Sequence, residues 1–312
     1  MSTRKPRLGT GVAIGLAIWL GHTALAAPAP AQQTYASAEQ AAAALADATR
    51  SDDAAAMQAI FGPGNETLLS SGDRYADEEQ QRRFAAAYDE KHTLVPLDTG
   101  EMALDVGDDD WRLPIPIVLA DGRWHFDTTA GAQEIINRTI GHNELAAIRV
   151  ALAYVAAQQE YFEQTNQATG VGSYADRLVS TAGHHDGLYW PAAEGRSPSP
   201  FAAVVAEADE EGCENAFTDD KAIPYKGYYF RVLNAQGPNA AGGAANYVQS
   251  DRMSGGFALL AWPATYGSSG IMSFQVNQDD IVFQKDLGPD TAHVAAGITQ
   301  FDPDLTWARS EQ

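Results

Sequence analysis

NELAAIRVALAYVAAQQEYFEQ, residues 143–164, decides the fold of the C-terminal half. Leu145, Ile148, Leu152, Val155 and Phe162 recur at the spacing that lines one face of an α-helix. Asn143 is the expected N-cap, since its side-chain oxygen can accept from an unpaired N–H of the first turn. Gly141 is read as a kink, or as a break from a preceding helix over residues 130–140. Beyond a Gly-rich loop the period changes to strict alternation in residues 226–233, 256–262 and 271–284, the last folding back at residues 277–280. A helix stripe and a sheet face must each bury their apolar side, so the helix is expected to lie on strands holding Phe230, Phe257 and Phe274.

Upstream, the order of elements is similar but the chemistry differs. Ser37-x-x-Gln40 opens an Ala-rich helix to about Thr49 as a capping box, and Asp53 caps a short helix to Phe61 with Met57, Ile60 and Phe61 on its apolar face. Gly62-Pro63-Gly64 ends it. A third helix, over residues 78–91, follows Asp77 and sets Phe84 four residues from Tyr88. Met102, Leu104 and Val106 then alternate, as do Trp111, Leu113, Ile115, Ile117 and Leu119, and Asp121-Gly122 turns the chain into Trp124 and Phe126. Pro114 and Pro116 lack the N–H that a sheet ladder needs, which places this strand at an edge or on a bulge. The fold class is therefore α+β: N-terminal helices plus a curved antiparallel meander, then a long helix packed on an antiparallel sheet.

The first residues carry an export signal. Arg4, Lys5 and Arg7 precede an apolar core over residues 12–20, and Ala24-Leu25-Ala26 supplies a small-x-small cleavage site. The domain reading is residues 1–26 as signal peptide, 27–36 as flexible tether, 37–137 as an N-terminal α+β domain and 138–312 as a second α+β domain. No membrane span is expected after cleavage, and the absence of a Cys behind the apolar core excludes lipoprotein attachment. The expected location is periplasmic or secreted.

The 312 residues include 20 Lys and Arg against 41 Asp and Glu, a net charge of −21. Loss of residues 1–26 removes three positive and no negative charges, leaving −24. Such a field repels phosphate backbones, so nucleic acid is not an expected partner. The single cysteine, Cys213, excludes an intramolecular disulfide and any Cys-based zinc cluster; set among Glu210, Glu211 and Glu214, it reads as an inert apolar residue.

Four groups of residues could carry chemistry. Ser70, Ser71 and Asp73 place two hydroxyls near a carboxylate, but the sequence has no Gly-x-Ser-x-Gly elbow or Ser-x-x-Lys pair to supply a base. A turn explains the same residues. His184, His185 and Asp186 could bind a ligand, ligate a metal or act as an oriented base, with Trp190 and Tyr189 packing the loop. Adjacent imidazoles in an extended segment face opposite ways, and no helical His pair completes a zinc site. Asp108, Asp109 and Asp110 lack the alternating spacing of a calcium loop and read as a solvated turn. Among Tyr225, Tyr228, Tyr229 and Phe230, alternate members face opposite sides, which leaves Tyr229 or Tyr225 as exposed ring candidates for sugars or peptides. No metal and no cofactor are expected.

Several stretches carry a family likeness: FGPG (residues 61–64) with SSGD (70–73), GDDDWRLPIP (107–116), HFD (125–127) with Gly131, GHNE (141–144), DGLYWP (186–191), GYYF (227–230), GGF (255–257) and KDLG (285–288). On these, the sequence resembles a bacterial family of exported proteins of unknown function, which implies no particular reaction. The C-terminal half also resembles the head of a type IV pilin or pseudopilin. AQQEY (residues 157–161) lies in a helix, followed by the GYYF strand, an apolar strand with AWP (261–263), a Gly-rich turn and a final hairpin. That resemblance implies the fold alone, because here the helix bears Arg149 and Gln158 and follows a whole domain.

The function read from the sequence is that of an exported cell-envelope protein, a non-enzymatic factor binding an envelope protein or polymer. The alternative is an envelope hydrolase using the His184, His185 and Asp186 loop with Ser70 or Ser71.

Overall fold

The computed structural model describes residues 31–65, 74–192, 198–210, 213, 216–217 and 223–310. The residues read as an export signal, the start of the segment read as a tether, and Ser70, Ser71 and Asp73 lie outside the described residues.

Three helices open the chain: α1 (Ala38–Arg50), α2 (Ala54–Phe61) and α3 (Arg74–Glu90). Ser37 accepts from the Gln40 N–H as read, while the Gln40 side chain reaches back to the Ala36 N–H. Asp53 caps α2 through the Ala56 N–H, and Met57, Ile60 and Phe61 are buried. The third helix begins earlier than the sequence suggested, with Asp77 inside its first turn, where a carboxylate favours the positive end of the helix dipole.

The strands β1 (His92–Asp98), β2 (Glu101–Val106), β3 (Trp111–Arg112), β4 (Ile117–Ala120) and β5 (Arg123–Phe126) form an antiparallel sheet in the order β1-β2-β4-β5, with β3 also on β2. The alternating run from Trp111 to Leu119 is cut in two at Pro114 and Pro116, so β4 pairs on both sides while the prolines stay outside the ladders. Asp121 and Gly122 both have positive φ, the backbone that a two-residue hairpin requires. Leu104, Val106, Ile117 and Phe126 close over α1 and α2 as the first core. The segment read as tether is tied down at its end. Tyr35 exchanges two backbone hydrogen bonds with Trp124 at the open edge of β5, and Gln32 Nε2 donates to the carbonyls of Ile60 and Phe126. The buried Tyr35 ring supplies the apolar area that a flexible tether would lack.

The helix α4 (Thr128–Thr169) runs for 42 residues without interruption at Gly141. Asp127 caps it through the N–H groups of Thr129 and Ala130, so its start lies upstream of Asn143. At Gly131 a Cβ would stand 2.5 Å from Ile115, so glycine lets the helix lie against the first lobe. Its second half packs on the other lobe, and the buried face is Ala146, Ala147, Val150, Ala151, Tyr154, Val155, Ala157, Gln158 and Tyr161. Leu145 is 61% exposed, whereas Ile148 and Leu152 flank the core half-buried. The stripe drawn through the largest aliphatic residues is thus rotated from the true contact, because alanines let the helix approach the sheet closely.

Beyond α5 (Ala202–Glu210) come β6 (Tyr228–Leu233), β7 (Ala235–Gln236), β8 (Ala245–Asn246), β9 (Val248–Gln249), β10 (Arg252–Met253), β11 (Ala258–Pro263), β12 (Met272–Asn277), β13 (Phe283–Asp286), α6 (Thr291–Gly297) and β14 (Ala308–Arg309). The main sheet has the antiparallel order β14-β13-β12-β11-β6, and β7–β8 and β9–β10 are small hairpins. Phe230, Phe257 and Phe274 join the second core with Tyr154 and Val155. The α4 residues Asn143 and Glu144 grip this lobe. Asn143 Nδ2 donates to Ser269 O, and Glu144 Oε1 accepts from the N–H groups of Ile271 and Met272, both at 2.9 Å. The residue read as an N-cap is a mid-helix clamp.

Candidate functional site

The titratable cluster is held by a short parallel bridge. Val179 pairs with Tyr189, so residues 180–188 close a loop against α4. Inside it the Asp186 carboxylate accepts from the Thr181 N–H at 2.7 Å and the Thr181 hydroxyl at 2.8 Å, with Arg177 Nη1 at 3.6 Å. Partial burial works against the charged carboxylate, but the two Thr181 hydrogen bonds and Arg177 prevail and hold its pKa below the usual value. The His185 ring stacks on Trp190 at 4.4 Å and 10°, and its backbone carbonyl accepts from Tyr161 on α4 at 2.7 Å. Trp190 is buried beneath it, while the chain at His184 is exposed.

These contacts give the loop its shape. A general base needs its imidazole oriented by the carboxylate, and the hydrogen bonds of Asp186 go to Thr181 instead. Ser70 and Ser71 lie outside the described residues. Behind the loop is a cleft of about 290 Å³ with Val179, Tyr189, Val205 and Phe217 as its apolar wall and Asp209 and Cys213 at its margin. Cys213 is half-buried, with its sulfur 3.8 Å from Pro224 O. Among the described residues no three His, Cys, Asp or Glu side chains converge on a metal position. Asp110 instead pairs with Lys91 at 2.7 Å, and Asp105 accepts two bonds from Arg112.

Of the ring candidates, Tyr225 is buried against Phe217, which removes it as an exposed platform. Tyr229 is half-buried and stands 5.7 Å from Trp262, its partner across β6 and β11. The register continues that pair into a row. Trp262 lies one step beyond the Ala261–Phe274 pair and so faces Ser273; Ser273 pairs with Lys285; Lys285 lies one step beyond Gln284–Ala308 and carries its ammonium 5.9 Å from the Trp307 ring. Tyr229, Trp262, Ser273 and Lys285 therefore line up across β6, β11, β12 and β13 on the face opposite Tyr228 and Phe274, and Trp307, in the turn ahead of β14, stands beside Lys285. Ser273 is fully buried, and its hydroxyl has no hydrogen-bond partner among the described residues. Arg231, one rung along, lies 5.3 Å over Trp262 and donates to Ala295 O and Ile298 O at the end of α6. Sequence reading reached only Tyr229 in this row. The alternation was visible in each strand, but the register that aligns four distant strands was not.

Among the described residues no helix is long and apolar enough to cross a membrane. Fold and site together define an α+β protein with two sheet-and-helix lobes on a shared helix, carrying a tied polar loop and an aromatic row. The chain belongs to the family described as "Protein of unknown function (DUF2950)", whose model matches residues 32–310. No curated protein and no solved structure matches it.

Proposed function

We propose that the protein is an exported cell-envelope factor that binds a partner or polymer and performs no chemistry on it. The observation that carries this reading is the fate of Asp186. Its carboxylate is spent on Thr181 and Arg177, so the one sequence cluster able to host a general base serves to shape a loop. The basic, apolar and Ala-x-Ala succession of residues 1–26 supports export to the periplasm or beyond. The order of long helix, edge strand, apolar strand and the β12–β13 hairpin, here followed by α6 and β14, supports a pilin-head-like second domain from about residue 138, by analogy of fold alone.

The test joins location to chemistry. In the native host the chain should begin at Ala27 by mass spectrometry and fractionate with the envelope. Purified protein should co-sediment with isolated envelope polymer without releasing soluble fragments from it. An intact Met1 in the cytoplasm would sink the export claim. Fragment release that disappears in the His184→Ala/His185→Ala double variant would establish the hydrolase instead.

A further inference from the structure

We infer that the cleft behind the loop of residues 180–188 binds a small organic ammonium ion with an apolar body, an assignment independent of the envelope-binding reading. The wall of the cleft is fixed on every side. Val179 and Tyr189 are locked by their bridge, where Tyr189 O accepts from the Ser180 N–H and the Tyr189 N–H donates to Leu178 O. The helix α5 brings the buried Val205, and Phe217 is held by Phe201, Tyr225 and Phe230 at ring-centroid distances of 5.4, 5.6 and 5.5 Å. A wall anchored in this way is preformed, so an apolar ligand enters without first ordering the protein. The volume of about 290 Å³ lies at the small end of ligand sites, which suits a small molecule and not a polymer.

The margin of the cleft sets the head group. Asp209 lies one helical turn beyond Val205 on the same side of α5, and among the described residues its carboxylate has no hydrogen bond or ion pair. It stands in the last turn of α5 with Glu207 and Glu210 exposed beside it and no basic residue in that turn, where the negative end of the helix dipole already disfavours a carboxylate. The basic residues of neighbouring segments are engaged elsewhere. Arg177 pairs with Asp176 and lies 3.6 Å from Asp186, and the Lys226 ammonium sits 5.8 Å over the Tyr225 ring. An unpaired carboxylate, a negative helix end and an apolar wall together complement a cation with an apolar body. An anion would meet repulsion from both charged features, and an inorganic cation would gain nothing from the wall.

Phenethylammonium, 2-phenylethanol and 3-phenylpropanoate share a ring and a short chain but differ in head-group charge, and each is titrated by calorimetry into the full mature protein. The ammonium should saturate with a Kd on the order of 10⁻⁴ M, as expected for so small a ligand, with the alcohol weaker and the carboxylate weakest. Rising salt should narrow that gap. Cys213, the single thiol of the chain, lies at the cleft margin and reports occupancy: saturating ammonium should slow its alkylation by iodoacetamide several-fold. Asp209→Asn should weaken the ammonium roughly two- to fivefold, the range of an exposed ion pair, and leave the alcohol unchanged. Ala216→Leu, which fills the cleft, should remove binding of both. Near-UV circular dichroism checks the fold; if Ala216→Leu does not fold, Asp209→Asn and Cys213 protection carry the test. Equal binding of the three probes, no saturable binding of the ammonium, unchanged Cys213 alkylation at saturation, or an undiminished ammonium preference in Asp209→Asn would overturn the assignment. Co-sedimentation of Asp209→Asn with envelope polymer should match that of the wild type, so this ligand class can fail while the envelope-binding reading stands.

Discussion

In the N-terminal lobe Leu104, Ile117 and Phe126 meet Ala-rich α1 in an apolar core, and the one buried carboxylate of the sheet, Asp105, reaches out to Arg112. The C-terminal lobe runs side-chain hydrogen bonds through its middle. Gln158, fully buried on α4, donates to Tyr154 and to Ala175 O and accepts from the Ala175 N–H, while Tyr154 donates to Ala258 O. Apolar packing tolerates small rearrangements, but a buried polar network is satisfied in one arrangement only. Burial against that network raises the Tyr154 phenol far above its ordinary pKa, so it stays a neutral donor. The first lobe is thus held by area, and the second fixes its geometry with matched donors and acceptors.

The largest expected effect tests whether the two lobes are one cooperative unit. His142→Pro, at an exposed position about a third of the way along α4, should cost about 3 kcal/mol or more through the lost helical bond and the ring clash. Urea unfolding followed by both fluorescence and circular dichroism should then split into two transitions. A single transition with an unchanged midpoint would show that α4 does not couple the lobes.

Next comes the polar network. Gln158→Ala strands the buried Ala175 groups and leaves a cavity, at an expected cost of about 3 kcal/mol. Ile117→Val in the apolar core should cost only about 1 kcal/mol. If chemical denaturation finds the two equal, the contrast between the lobes is wrong.

A smaller effect separates the lobes by pH. The Arg112 hydrogen bonds hold the Asp105 pKa below its ordinary value against the opposing effect of burial. A depressed folded-state pKa stabilises above the unfolded-state value, and that contribution is lost as pH falls through the folded value. Asp105→Asn should therefore cost roughly 1–2 kcal/mol at neutral pH, and the gap from wild type should close in acid. A gap that persists below pH ~2, under the ordinary carboxylate range, would assign the loss to shape instead of charge. The smallest effect is at Leu145, where Leu145→Gln should stay within about 0.5 kcal/mol in the same assay, because the side chain faces solvent.

Sequence reading succeeded where neighbours along the chain decide the outcome. Asp53 capped α2, Asp121-Gly122 made its turn, and residues 271–284 folded back as β12 and β13. It misplaced the α4 contact face because periodicity weighs Leu145 above Ala146 and Ala147, whereas close approach to a sheet favours the small residues. The His184, His185 and Asp186 loop was legible as a cluster. That Asp186 would turn to Thr181 depended on the bridge between Val179 and Tyr189, which no local spacing encodes.

By itself the sequence determined the α+β class, the order of helices and strands, and the acidic surface, since composition, alternation and capping act over a few residues. Only the tertiary structure decided that α4 is continuous through Gly141, that Glu144 clamps Ile271 and Met272, and that Ser273 pairs with Lys285, whose ammonium stands beside Trp307. The physical reason is common to all three. Strand register and helix packing are set by which distant surfaces bury each other best, and a one-residue slip would send each of those side chains to the opposite face.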